Sequence, residues 1–313
     1  MPSAIQPAQR TFGTLRGHRA SWLSWGTPAG DPVVLLHGWM DVAASFHFVV
    51  EALAADLRRD LWIIAPDQRG YGHTEWTREP AGGYWFPEYL ADLDALLAQL
   101  VPERPVHLVG HSLGGNVACL YAGIRPHRVR SLVSLDGFGL PAADPDKAAE
   151  RYRRWLDAIA RPVLLRPYPS LAAVADRLMA NNPRLRRDRA EWIAAHWAEG
   201  DDRSGWRIKA DPAHKLPFPV GYRLDEALVI WRQVTAPTLW IGGSVSDAAR
   251  WNGYDADTRV PAAGLAPAAD RFEARLAAFS DIRFVVLDKV GHMLHHEAPE
   301  AVAGLLAEHW RRG

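Results

Sequence analysis

The sequence predicts an α/β fold, a mostly parallel sheet with helices on both faces, and three observations carry that expectation. Short, largely apolar runs recur at Val33–Leu36, Trp62–Ala65, Val106–Val109, Ser131–Leu135, Thr238–Ile241 and Arg283–Leu287. Strands with so little polar alternation are those covered on both faces. Helix-period sequence separates most of these runs, which is the connection that neighbouring parallel strands need. Glycine or polar residues follow each run, and ligands of such sheets gather at the C-terminal strand edge.

Composition narrows the partners. The 313 residues carry 36 Lys+Arg against 36 Asp+Glu, so the formal charge is zero. No basic footprint for nucleic acid and no polybasic membrane patch is present, and a small neutral or mildly charged molecule fits better. The one cysteine, Cys119, has no internal disulfide partner and reads as a buried filler in a reducing compartment. MPSAIQPAQRTFG lacks the apolar core of a signal peptide, and no run approaches the ~18 apolar residues that span a bilayer. A soluble, cytoplasmic protein is expected. Of 14 tryptophans, several fall in the middle third, where rigid aromatic walls suit an apolar pocket.

In chain order, Arg10–Trp25 alternates loosely around Gly17 and predicts a hairpin. Val33–Leu36 runs into H-G-W-M-D, and a helix carrying Phe48, Leu53 and Leu57 follows. Trp62–Ala65 runs into P-D-Q-R-G-Y-G, whose Asp67 and Arg69 read as a turn with an internal ion pair. Leucines at 90, 93, 96, 97 and 100 mark a helix that stops before Pro102. After Ser131–Leu135 and Asp136 the alternation breaks. Asp144-Pro145 caps a helix with Tyr152, Trp155, Leu156 and Ile159 on one face, Ser170 opens a second, and Trp192, Ile193 and Trp197 mark a third. Residues 139–232 therefore read as a helical insertion within a domain formed by 1–138 and 233–313. The basic run Arg184–Arg189 reads as a solvated helix start.

Chemistry centres on Ser112 in G-H-S-L-G, where a strand run passes directly into helical sequence. A serine at that junction occupies a tight turn, and the flanking glycines remove Cβ atoms that would clash, so Ser112 is the predicted nucleophile. Its hydroxyl needs a base, itself oriented by an acid. His292 follows the last strand run and is the predicted base, with His295 and His296 read as surface or packing residues of the C-terminal helix. His295-His296-Glu297 does not have zincin spacing. Asp136 abuts its strand run and is favoured as the acid, and Asp247 in G-G-S-V-S-D is the alternative. The backbone N–H groups of Leu113 and Trp39 are positioned as oxyanion donors. No Rossmann fingerprint or P-loop is present, so no nucleotide is implied.

Together, H-G-W-M-D at 37, D-Q-R-G-Y-G at 67, G-H-S-L-G-G at 110, Asp136 in S-L-D-G-F-G and V-G-H-M-L-H-H-E near the C-terminus resemble the α/β-hydrolase superfamily. The H-G-W-M-D-x-A-A-S-F stretch, L-D-G after the elbow and the Y-R-R-W helix look most like its serine hydrolase-like proteins. The resemblance implies an eight-stranded sheet, a helical cap over the site, and a Ser-His-acid triad without metal or cofactor. Many members place the acid where Asp247 lies, in a G-x-x-D pattern, but here Ser246 stands three residues after Gly243. Others place it at the position of Asp136. Dehalogenases and epoxide hydrolases use an aspartate nucleophile, against which Ser112 speaks. The expected activity is cofactor-independent hydrolysis of a small, hydrophobic carboxylic ester or related acyl compound through an acyl-enzyme. C–C bond hydrolysis, lactone hydrolysis and non-catalytic ligand binding are the alternatives.

Overall fold

Apolar strands covered on both faces need two cores, and the structure has them. The computed structural model describes residues 8–77, 84–246, 254–255, 260–261 and 272–312. The strands are β1 (Gln9–Leu15), β2 (His18–Trp25), β3 (Asp31–Leu36), β4 (Leu61–Asp67), β5 (Val106–His111), β6 (Val129–Leu135), β7 (Ala198–Asp201), β8 (Gly205–Ile208), β9 (Thr238–Gly243), β10 (Tyr254–Asp255), β11 (Val260–Pro261) and β12 (Ile282–Leu287). Eight form one sheet in the order β1-β2-β4-β3-β5-β6-β9-β12. The β1–β2 hairpin and the β2–β4 pair are antiparallel, and every later pair is parallel.

Strand side chains alternate between the two cores. Val34, Leu36, Ile64 and Leu108 pack on one face, and Val33, Leu35, Ile63 and Val109 on the other. The first face is covered by α3 (Phe86–Leu100) and α4 (Leu113–Ile124), the second by α1 (His47–Ala52) and the C-terminal helix Pro299–Trp310. Because β3 lies between β4 and β5, the strand order reverses there. Helices leave to opposite faces at that point, α1 after β3 and α4 after β5, and such a switch point at the carboxyl ends of the strands is where ligands of these sheets bind.

Two local expectations change. The single helix predicted around Phe48, Leu53 and Leu57 is a 3₁₀ turn, α1 and α2 (Ala55–Arg59), because Leu53 and Ala54 have ψ of 137° and 140° and interrupt the helical backbone. Residues 139–232 are not purely helical. They hold α5 (Ala148–Ile159), α6 (Leu171–Asn181), α7 (Arg187–Trp197), the β7–β8 ribbon and α8 (Leu224–Trp231). The ribbon strands, A-E-G-D and G-W-R-I, show no apolar alternation for a pattern reading to find, and Asp201 closes their turn by accepting from the N–H groups of Arg203 and Ser204. Buried residues of α8 join the core that holds α4.

The basic run is also only partly solvated. Arg184 pairs with Glu297 at 2.6 Å, and Arg189 bonds the His296 carbonyl at 2.8 Å and Glu300 at 2.9 Å. These contacts tie the segment before and at the start of α7 to the C-terminal turn. Among the described residues, no helix is long and apolar enough to cross a membrane.

Candidate active site

The tight turn expected at Ser112 is present. Its φ of 51° and ψ of −113° lie where a non-glycine residue is strained, and the turn is held by the Ser112 N–H on the Leu135 carbonyl at 2.9 Å. Two glycines permit the close approach. A Cβ on Gly110 would lie 2.1 Å from the Gly114 carbonyl oxygen, and one on Gly114 would lie 2.2 Å from that of Leu36. Only hydrogens fit between β3, β5 and the start of α4, so the serine is pushed up at the strand edge.

Three chain segments then meet. His292, in the loop after β12, sets Nε2 2.9 Å from Ser112 Oγ and Nδ1 2.6 Å from Asp136 Oδ2. A carboxylate only accepts, so the proton sits on Nδ1 and the Nε2 lone pair faces the serine hydroxyl. Asp136 follows β6 with φ of 53°, is buried, and donates its own N–H to Ile241 at 2.7 Å. The His292 side chain is 37% exposed, so a substrate can reach the face of this chain of bonds. Ser246 Oγ also donates to Asp136 Oδ2. Sequence reasoning noted Ser246 only as the residue standing where a G-x-x-D pattern has its acid, and gave it no role on Asp136. Asp247 itself lies outside the described residues.

Leu113 is the first residue of α4, so its N–H has no partner within the helix. The loop that carries Trp39 lies against the serine, because a Cβ on Gly38 would come within 3.3 Å of Ser112 Cβ. His37 holds that loop: its Nε2 accepts from the Gln68 N–H at 2.9 Å and its Nδ1 donates to the Gly38 carbonyl at 2.8 Å. Burial lowers the pKa of His37 and keeps it neutral. Trp39 as a residue is 53% exposed, and its indole N–H donates to the His214 carbonyl at 3.1 Å, linking this loop to the 139–232 excursion.

His295 and His296 are not surface residues. Both are buried against Asp41, with His295 Nε2 at 3.3 Å from Asp41 Oδ2. The short helix Leu294–Glu297 turns them inward, a rotation that helical period in six residues could not specify. His111, within the G-H-S-L-G motif, packs its ring 4.3 Å from that of His295 at a tilt of 47° and donates from Nε2 to the His292 carbonyl at 2.8 Å. Burial drives His111 well below the ordinary imidazole range and His296 to about 3. For Asp41 burial acts to raise the pKa, but the hydrogen bond from His295 and the neighbouring histidines outweigh it, and the carboxyl is held low. Among the described residues, Asp41, His111 and His295 are the donors close enough to share one metal ion, within 4.8 Å of one another.

The predicted Asp67–Arg69 pair is replaced by pairs with other residues. Asp67, buried under β2, pairs with Arg10 at 2.6 Å, and Arg69 points to α3 and pairs with Asp92 at 2.6 Å. Asp67 is thereby tied to β1 and Arg69 to α3.

Residues 31–299 match the family model described as the alpha/beta hydrolase fold. The chain belongs to that family of hydrolases, and within it resembles serine hydrolase-like proteins. Its relatives include a serine hydrolase-like protein of Danio rerio, 29% identical over 73% of this chain and 68% of that one. A 3-hydroxybutyrate-oligomer hydrolase of Cupriavidus necator is 31% identical over 74% of this chain and 78% of that one. Among solved structures, the thioesterase domain from the curacin biosynthetic pathway superimposes with a TM-score of 0.79 at 22% identity. That match covers 96% of this chain and all of that one, and it shows the shared fold.

Proposed function

We propose that the protein is a cofactor-independent serine hydrolase that cleaves carboxylic esters through an acyl-enzyme. The carrying observation is the pair of hydrogen bonds made by one imidazole, 2.9 Å to Ser112 Oγ and 2.6 Å to Asp136 Oδ2. In this reading His292 Nε2 takes the proton of Ser112 as Oγ attacks the ester carbonyl, and Asp136 stabilises the imidazolium that forms. The N–H groups of Leu113 and Trp39 receive the oxyanion. His292 then protonates the departing alkoxide, and a water activated by the same nitrogen releases the acid. The 139–232 excursion acts as the cap that shields the acyl group from water. Cys119 takes no part: it is buried, and burial pushes its thiol up to about 12. An unreactive lone thiol and balanced charge support placing the protein in the cytoplasm with a small-molecule substrate.

The relative that acts on 3-hydroxybutyrate oligomers makes short hydroxyacid oligoesters the first substrates to test beside simple 4-nitrophenyl esters. Labelling with a fluorophosphonate, with Ser112→Ala as control, tests the reading directly. A stoichiometric adduct on Ser112, together with ester turnover that the variant lacks, supports it. A folded chain that forms no adduct and turns over no ester overturns it in favour of ligand binding without catalysis.

A further inference from the structure

A cavity of about 490 Å³ lies apart from the Ser112 chain of bonds, and none of Ser112, His292 and Asp136 lines it. Its apolar walls come from three helices of the first core and from the excursion: Phe86 and Leu90 of α3, Leu120 of α4, Ile230 of α8, and the Phe218 and Tyr222 side chains. Size and lining are those of a site for a small apolar molecule. Phe218 and Val220 of the walls stay about half-exposed, and α5 above them buries none of its residues. The apolar surface here is thus left uncovered by the chain itself, which is costly unless something else covers it.

The polar groups at this cavity are mostly cationic. Arg151, Arg154 and Arg223 reach it, with Glu226 as the acid. Arg223 is neutralised by Asp225 at 3.2 Å and Glu226 at 3.3 Å. The other two are not. Arg151 donates from Nη1 to the Asp144 carbonyl and keeps a buried Nε without a partner, and Arg154 is exposed. Among the described residues, neither has a carboxylate within ion-pair distance. Two uncompensated guanidinium groups therefore stand on one helix, α5, at the edge of an apolar cavity.

The geometry points to a second binding site, for a single-chain amphiphile with an anionic head. The apolar tail fills the cavity between α3, α4 and α8, and the head, a carboxylate in the simplest case, sits between Arg151 and Arg154, whose planar forks match it. The site does not depend on Ser112 acting as a nucleophile, since a chain without turnover would bind the same ligand.

Calorimetric titration of dodecanoate and of dodecanol, below micellar concentrations, into the full chain carrying Ser112→Ala tests this. One saturable dodecanoate site is expected, bound more tightly than the alcohol. Arg154→Gln should weaken dodecanoate about fivefold and leave dodecanol unchanged, and the Arg151→Gln, Arg154→Gln pair should erase the preference. Phe218→Ala, at a half-exposed wall, should weaken both ligands alike. Absence of saturable binding, equal affinity for acid and alcohol, or a preference that survives loss of both arginines would overturn the proposal. The last result would place the amphiphile elsewhere, as beside Ser112. Thermal melts of each variant establish that the chain is folded.

Discussion

Replacing Asp136 by Asn isolates the charge of the proposed acid from its shape. Asp136 Oδ2 meets His292 Nδ1 at 2.6 Å and also accepts from Ser246, and the side chain is buried, so water and salt screen this contact little. An asparagine oxygen can still accept both bonds, and the ground-state tautomer of His292 is kept. What disappears is the negative charge beside the imidazolium. At an effective dielectric near 20, two unit charges about 4 Å apart attract by about 4 kcal/mol, which corresponds to roughly 10³ in rate. The amide nitrogen would replace Oδ1, which is buried without a hydrogen-bond partner among the described residues. An unsatisfied donor there costs about 1–3 kcal/mol of stability. The expected variant is therefore folded, melts lower, and hydrolyses 4-nitrophenyl butyrate with kcat reduced about a thousandfold and KM little changed. Asp247→Asn serves as the comparison. If Asp136→Asn keeps kcat within threefold while Asp247→Asn loses most of it, the acid has been wrongly assigned and the 2.6 Å contact is structural.

Other substitutions and conditions probe separate links. Ser246→Ala leaves Asp136 with one fewer donor and should lower kcat about tenfold, a charge-assisted bond being worth roughly 1.5–3 kcal/mol, with rescue in Ser246→Thr. Steady-state kinetics of the two variants decide it, and an unchanged Ser246→Ala would show that the bond orients nothing. Gly114→Ala forces a Cβ to 2.2 Å from the Leu36 carbonyl and must displace the turn, so kcat should fall at least a hundredfold with a stability loss of about 1–3 kcal/mol. Full activity in that variant would mean the turn relaxes freely. His107, His214 and His296 are held by burial at about 4, 3 and 3, below the ordinary 6.5. The unfolded chain thus binds more protons between those values, and the stability these groups contribute is complete above pH 6.5 and is lost as pH falls towards 4 and 3. Denaturant midpoints at pH 7.5, 6 and 4.5 should fall in that order, and a flat series would contradict the burial of these rings.

The α/β class, the strand runs and the residues around which the candidate site is built are legible in the amino-acid order alone. Strands covered on both faces are written as unbroken apolar runs, and a serine at a strand-to-helix junction needs glycine at 110 and 114 whatever else surrounds it. These are local requirements, readable within a few residues. The joining of Ser112, His292 and Asp136 by hydrogen bonds was anticipated only as far as strand ends share one edge of a sheet; the distances came from the fold. Ser246 on Asp136, the partners of Asp67 and Arg69, and the inward turn of His295 and His296 onto Asp41 and His111 were decided by tertiary structure alone. Each depends on which side of a turn a side chain leaves, and a one-residue rotation exchanges core for solvent without changing composition or period. The β7–β8 ribbon escaped notice for a related reason, since its strands are half-exposed and its pairing rests on backbone hydrogen bonds that no side-chain pattern records.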